Sequence, residues 1–155
     1  MHRCQKTGWK AGHSKQCGAL SNEEIREKFE VALKAKDWKA MRALEGLLER
    51  LLTGCDNMYS VKVLQALTAA HTQAGDEAFC MRKAEGFEER VVVILGEEQR
   101  FRDQGEAMCV LGHTILTTRD TIGPGECDEA RLGKASAWFQ RARTLGEHHG
   151  FFQLE

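Results

Sequence analysis

Apolar side chains recur along this chain at three- and four-residue intervals, in blocks of helix length separated by short polar or glycine-containing breaks. Ser21 followed by Glu24 has the form of a capping box, in which the serine hydroxyl takes a backbone N–H of the first turn. Ile25, Phe29 and Ala32-Leu33 follow at helical spacing, which predicts an amphipathic helix over 22–35. Asp37 caps a second predicted helix, whose stripe runs Trp38, Met41, Leu44, Leu47-Leu48 and Leu51-Leu52 before Gly54 stops it. A third spans about 58–74, with Val61, Leu64, Leu67 and His71 along one face.

Asp76 starts a fourth predicted helix, which runs to about Glu97 with Phe79, Lys83, Phe87, Val91 and Ile94-Leu95 near one stripe. The run Val91-Val92-Val93-Ile94-Leu95 is rich enough in β-branched residues for a strand. It lies inside a long helical pattern and has no partner strand, so it is read as helix. A fifth helix over about 98–119 carries Phe101, Met108, Leu111-Gly112, Ile115 and Leu116. The loop Thr121–Glu126 is the clearest break, and a sixth helix follows over about 128–148. Short turns between helices favour antiparallel neighbours, so the expected fold class is all-α, built of stacked helical hairpins.

The last hairpin sharpens that expectation. Ala135, Phe139 and Ala142 show a small–aromatic–small spacing, and the preceding helix offers Leu111-Gly112 flanked by Met108 and Ile115. This resembles the tetratricopeptide repeat (TPR), in which small residues let the two helices of a hairpin approach closely. The resemblance holds within each helix and fails in the turn, which is longer than usual. The middle hairpin follows more loosely through Gly75-Asp76, with Leu64 and Leu67 before it and Cys80, Ala84 and Phe87 after it. Ala40, Leu44 and Leu47 are all that the first hairpin keeps, and there an irregular bundle is an equal alternative. Gly46, Gly86 and Gly112 lie inside helical patterns, where each costs about 1 kcal/mol relative to alanine. Close helix packing would explain their presence. By resemblance, residues 21–155 form a TPR-like repeat domain that curves around a groove for a peptide or helix.

Charge changes the picture at the N-terminal end. Residues 1–20 hold Arg3, Lys6, Lys10 and Lys15 and no acid. Taking those four from the 22 basic residues leaves 18 against 23 acidic, a formal −5 on the rest of the chain. A basic head on an acidic body suits a small finger or a nucleic-acid-binding tail in front of a separate module. The whole chain, at a formal −1, has no global attraction to nucleic acid or membrane. The longest apolar run falls far short of the ~20 residues a membrane span needs. No signal-peptide core precedes the first helix, so Cys4, Cys17, Cys55, Cys80, Cys109 and Cys127 are expected to be reduced thiols of a cytoplasmic or nuclear protein.

The head reads Cys4-Gln5, then Trp9, then His13-x3-Cys17. This resembles the closing half of a MYND-type zinc finger, with eight residues between Cys4 and His13, one more than the common form. His13 and Cys17 are one helical turn apart and can grip a single metal, whereas Cys4 and His13, nine apart, would point about 180° away from each other on a continuous helix. The resemblance implies two interleaved zinc sites, with Cys4 in the first and His13 with Cys17 in the second. Structural zinc takes four ligands, so neither site closes within 1–20. Three explanations stand: the chain is a fragment of a longer MYND protein, which is preferred; the finger has decayed; or Cys55 or another distant cysteine completes a site. For the later cysteines, burial as small apolar residues on helices is the simpler reading.

Nothing else points to chemistry. His71 and His113 sit on apolar faces as core histidines, His148-His149 suit a helix C-terminus, and Glu88-Glu89 and Glu97-Glu98 read as solvated faces. MYND fingers accompany SET-domain methyltransferases and some oxygenases, but the helical remainder offers neither scaffold. There is no phosphate loop, nucleophile elbow or Cys/His pair with an orienting third group. The expectation is therefore a non-catalytic protein–protein interaction scaffold with no small-molecule substrate. Two alternatives remain: a nuclear cofactor that recruits proline-containing peptides through an intact finger, and weak, salt-sensitive nucleic-acid binding by the basic head. Phe151-Phe152 and Leu154 look like the opening of a further helix, and such an uncapped repeat end predicts self-association.

Overall fold

A computed structural model describes residues 20–74, 78–118 and 128–150. Among these residues every regular element is an α-helix and there is no strand. The helices are α1 (Asn22–Ala35), α2 (Trp38–Ala43), α3 (Glu45–Leu52), α4 (Asn57–Thr72), α5 (Ala78–Glu97), α6 (Phe101–Thr118) and α7 (Asp128–His149). The chain divides into two compact units, 1–54 and 55–155.

In the first unit the caps lie where the sequence puts them. The Ser21 hydroxyl accepts from the Glu24 N–H at 3.2 Å, and Ile25, Phe29 and Ala32 are the buried face of α1. Lys36 closes α1 in the left-handed conformation (φ 51), with the Asp37 N–H returning to the Ala32 carbonyl at 2.9 Å and its own N–H to Leu33 at 3.1 Å. Asp37 then accepts from Ala40 N–H at 3.1 Å. The single helix expected from Asp37 to Leu52 is instead two, α2 and α3. At Leu44 (φ −83, ψ −8) the N–H is shared between the carbonyls of Ala40 and Met41, a local tightening that no proline or glycine signals. Met41, Leu48 and Leu51 still share one buried stripe across the break.

The second unit is an array of antiparallel helices, each packed against the next in sequence. Asp56 caps α4 by accepting from Tyr59 N–H at 2.9 Å, and Asn57 at the start of α4 donates to Glu98 just beyond the end of α5. Val61, Leu64, Leu67 and His71 are buried as expected, with Val63, Ala66 and Ala70 buried beside them. Asp76, the expected start of α5, lies outside the described residues. The run 91–95 is helical: Val91, Val92 and Leu95 are buried while Val93 is exposed, which is helical spacing and not strand alternation. Packing overrides the β preference of the valines.

Gln99 ends α5 in the left-handed conformation (φ 56), with Arg100 N–H bonded to Leu95 carbonyl at 2.9 Å and its own N–H to Gly96 at 3.1 Å. That closure moves the start of α6 to Phe101, three residues after the expected position. The Gln104 side chain then donates to the Val92 carbonyl at 3.1 Å across the α5–α6 turn.

Helices α6 and α7 meet in a close-packed seam. Leu111, Ile115 and Ala135 form its core, with Leu116, Trp138 and Phe139 packed around them. A Cβ on Gly112 would sit 2.7 Å from the Phe139 ring, so this glycine is required by close approach. The packing expected at Gly46 and Gly86 is absent: both are exposed, with nothing within 4 Å of a would-be Cβ. At the far end of the seam the His149 ring stacks on Phe101, with centroids 4.1 Å apart and planes 9° apart.

Candidate functional site

Cys4, His13 and Cys17, the zinc ligands expected from the sequence, lie outside the described residues, as do Trp9, Cys127 and Phe151-Phe152. Among the described residues no three His, Cys, Asp or Glu side chains group as metal ligands would. Cys80 is buried on α5 and Cys109 half-buried on α6, in keeping with a packing role. Cys55 differs from expectation. It lies in the turn before α4 and not on a helix, with its Sγ 3.1 Å from the Ser60 hydroxyl.

His71 is a packed histidine, its ring tilted against Phe87 at 5.8 Å. His113 is exposed on α6 and meets the Phe139 ring edge-on at 5.3 Å, so it lies outside the core in which it was expected. Glu97 and Glu98 are exposed, and Glu89 is partly exposed opposite the Lys134 ammonium at 3.4 Å.

Glu88 overturns the solvated reading. It is 3% exposed, on the stripe that Ala84, Val91 and Leu95 define on α5. A second acid, Glu85, is 5% exposed one turn earlier. The two have opposite surroundings. Glu85 faces α7, where the Arg131 guanidinium grips it with both terminal nitrogens and Lys134 stands 3.7 Å away. Glu88 has no cation among the described residues. Its hydrogen-bond partner is the Thr68 hydroxyl on α4, whose single proton is shared with the Leu64 carbonyl 2.9 Å away. Burial pushes the Glu88 carboxyl up to about 6, against the opposing pull of the Thr68 hydrogen bond.

Glu88 lies in a groove of about 300 Å³ that α4 and α6 flank and α5 floors. Met58 and Val61 contribute from α4, Leu95 from α5, and Ala107 and Val110 from α6. Its polar lining is Gln65, Glu88, Asp103 and Glu106, and among the described residues none of the lining is basic. Asp103 and Glu106 lie on the same helix as their partners, Arg100 at 2.9 Å and Arg102 at 3.8 Å, in exposed pairs. Such pairs are weakly held in water. The arrangement is a slot of mixed apolar and polar lining, with a buried acid at its base and two acids from α6. A nucleophile and a base that orients it are not brought together there.

No protein-family model, curated protein or solved structure matches the chain. No helix among the described residues is long and apolar enough to cross a membrane.

Proposed function

We propose that this chain is a non-catalytic protein–protein interaction scaffold, an intracellular adaptor whose TPR-like hairpins present a peptide-binding groove behind a segment that resembles part of a MYND-type finger. The groove between α4 and α6 is the observation that supports this reading. It offers apolar side chains from three helices beside Gln65 and three acids, a mixed surface open to a peptide or helix side chain. The Gly112–Phe139 approach is the kind of close contact on which TPR-like stacking depends.

A second reading keeps its own support in the sequence. Cys4-Gln5, Trp9 and His13-x3-Cys17 favour recruitment of proline-containing peptides by the finger, with zinc bound once four ligands are assembled. One comparison separates the two. Partner recovery is measured for the full chain, for a chain lacking residues 1–20, and for Val110→Trp, which plugs the groove from a half-exposed position. The scaffold reading expects the deletion to keep the partner and V110W to lose it. The reverse pattern would hand the function to the head. Zinc content of the full chain, against a His13→Ala/Cys17→Ala control, reports on the head independently: metal lost in the control means that ligands from elsewhere complete the site.

A further inference from the structure

We propose that the groove between α4 and α6 receives an arginine side chain from a partner peptide, with Glu88 as the buried anion that the guanidinium meets. The proposal rests on the reading of this groove as a peptide-binding surface and names what it selects.

The first argument is the unequal treatment of two acids on one helix. Buried carboxylates are normally matched by a cation or by several hydrogen-bond donors, because an ionised group loses its hydration inside the fold. Glu85 follows the rule: Arg131 supplies a two-pronged guanidinium contact, and Lys134 adds a second positive charge at 3.7 Å. Glu88, equally buried one turn on, has one hydroxyl, and that hydroxyl also serves the Leu64 carbonyl. What Glu88 lacks is what Arg131 supplies to Glu85. It also lines an open groove, so the missing cation can arrive from outside.

The second argument is the shape and charge of the groove. A volume of about 300 Å³ is at the small end of ligand clefts and suits one long side chain better than a folded ligand. Met58, Val61, Leu95 and Ala107 offer apolar surface for an aliphatic stem. Asp103 and Glu106 line the groove from α6 in exposed ion pairs with Arg100 and Arg102, which leaves Glu88 as the lining acid with no cation of its own among the described residues. Arginine fits this better than lysine, because a guanidinium is less strongly hydrated and matches a carboxylate with two parallel hydrogen bonds.

The test uses the full chain and a short blocked helical peptide carrying one arginine between two leucines. Its counterparts replace arginine with citrulline, which keeps the shape and removes the charge, or with lysine. Titration calorimetry should find the arginine peptide at least about tenfold tighter than the citrulline peptide, the size expected of a hydrogen bond to a buried charge. Lysine should fall between them. Glu88→Gln should erase the difference while circular dichroism and the thermal transition show an intact fold.

Equal binding of arginine and citrulline peptides would overturn the proposal, as would discrimination that survives E88Q, which would assign it to Asp103 and Glu106 alone. Absence of binding by any of the peptides would overturn it too. If V110W still abolishes partner recovery in that case, the scaffold reading stands and only the arginine inference falls. Self-association of the wild-type chain that E88Q removes would make a second copy, and not a separate partner, the occupant.

Discussion

The seam between α6 and α7 and the groove between α4 and α6 are made by neighbouring helices of one array, yet they are finished in opposite ways. The seam is closed: Gly112 admits the Phe139 ring, Leu111, Ile115 and Ala135 fill the space, and Arg131 neutralises the acid that α5 turns toward α7. The groove is open, and the acid that α5 turns toward it is left with a hydroxyl. Carboxylates one turn apart on the same helix thus carry different meanings. Glu85 belongs to the architecture. Glu88 carries a cost that the fold alone does not explain.

Breaking the closed side should have the largest effect. Arg131→Ala leaves Glu85 buried without the guanidinium that grips it, and loss of one member of a buried pair costs about 3–5 kcal/mol. Denaturant titration should show a loss near the lower end of that range, and adding Glu85→Gln should restore part of it. Full stability in R131A alone would mean that water already reaches Glu85.

Gly112→Ala tests the seam itself. A Cβ placed 2.7 Å from an aromatic ring overpacks the contact, for which about 2 kcal/mol is a typical cost. Phe139→Leu in the same chain should recover much of the loss, whereas the same exchange at Gly86, where nothing lies within 4 Å, should stabilise by a few tenths up to about 1 kcal/mol.

Glu88→Gln sharpens the open side and should act in the other direction. The folded state holds the Glu88 proton up to about 6, against an ordinary value of 4.5, so folding binds protons between those values and stability falls as pH rises through them. The cost is fully present above about 6 and vanishes below 4.5. A shift of that size corresponds to about 2 kcal/mol. E88Q should therefore raise stability by up to that amount at neutral pH and remove the upward slope that acidification gives wild type in this window. Parallel pH profiles for the two proteins would show that Glu88 is solvated after all.

Much of the array was legible in advance because caps and stripes are local. Ser21 with Glu24, and Asp37, mark helix starts by short-range hydrogen bonds, and the structure makes both of them. The Gly112–Phe139 contact was legible through small and aromatic residues at matching spacings on two helices. The break at Leu44 was not, because it is a shift of a shared hydrogen bond and leaves the apolar stripe continuous. Glu88 was misread because an acid beside another acid looks like surface, although its position with Ala84, Val91 and Leu95 is the buried stripe. The Glu85–Arg131 pairing joins residues 46 apart and has no local signature at either end. Gln99 hid the true start of α6, since a left-handed residue that is neither glycine nor asparagine gives no warning in composition.

The order in which the Glu85–Arg131 pair can form has a consequence for how the chain comes to its native state. Helices α4, α5 and α6 pack on their neighbours in sequence, so their contacts close over short spans and suit rapid, stepwise assembly. During synthesis the α4–α5 hairpin can assemble before α7 has emerged. Glu85 must then wait in water, and Arg131 arrives last. The pair acts as a latch: any excursion that detaches α7 takes Arg131 away from the buried acid beneath it. Fraying of the C-terminal helix is thereby coupled to the interior of the helix beneath it, and what would be a loose end unfolds together with the body of the array.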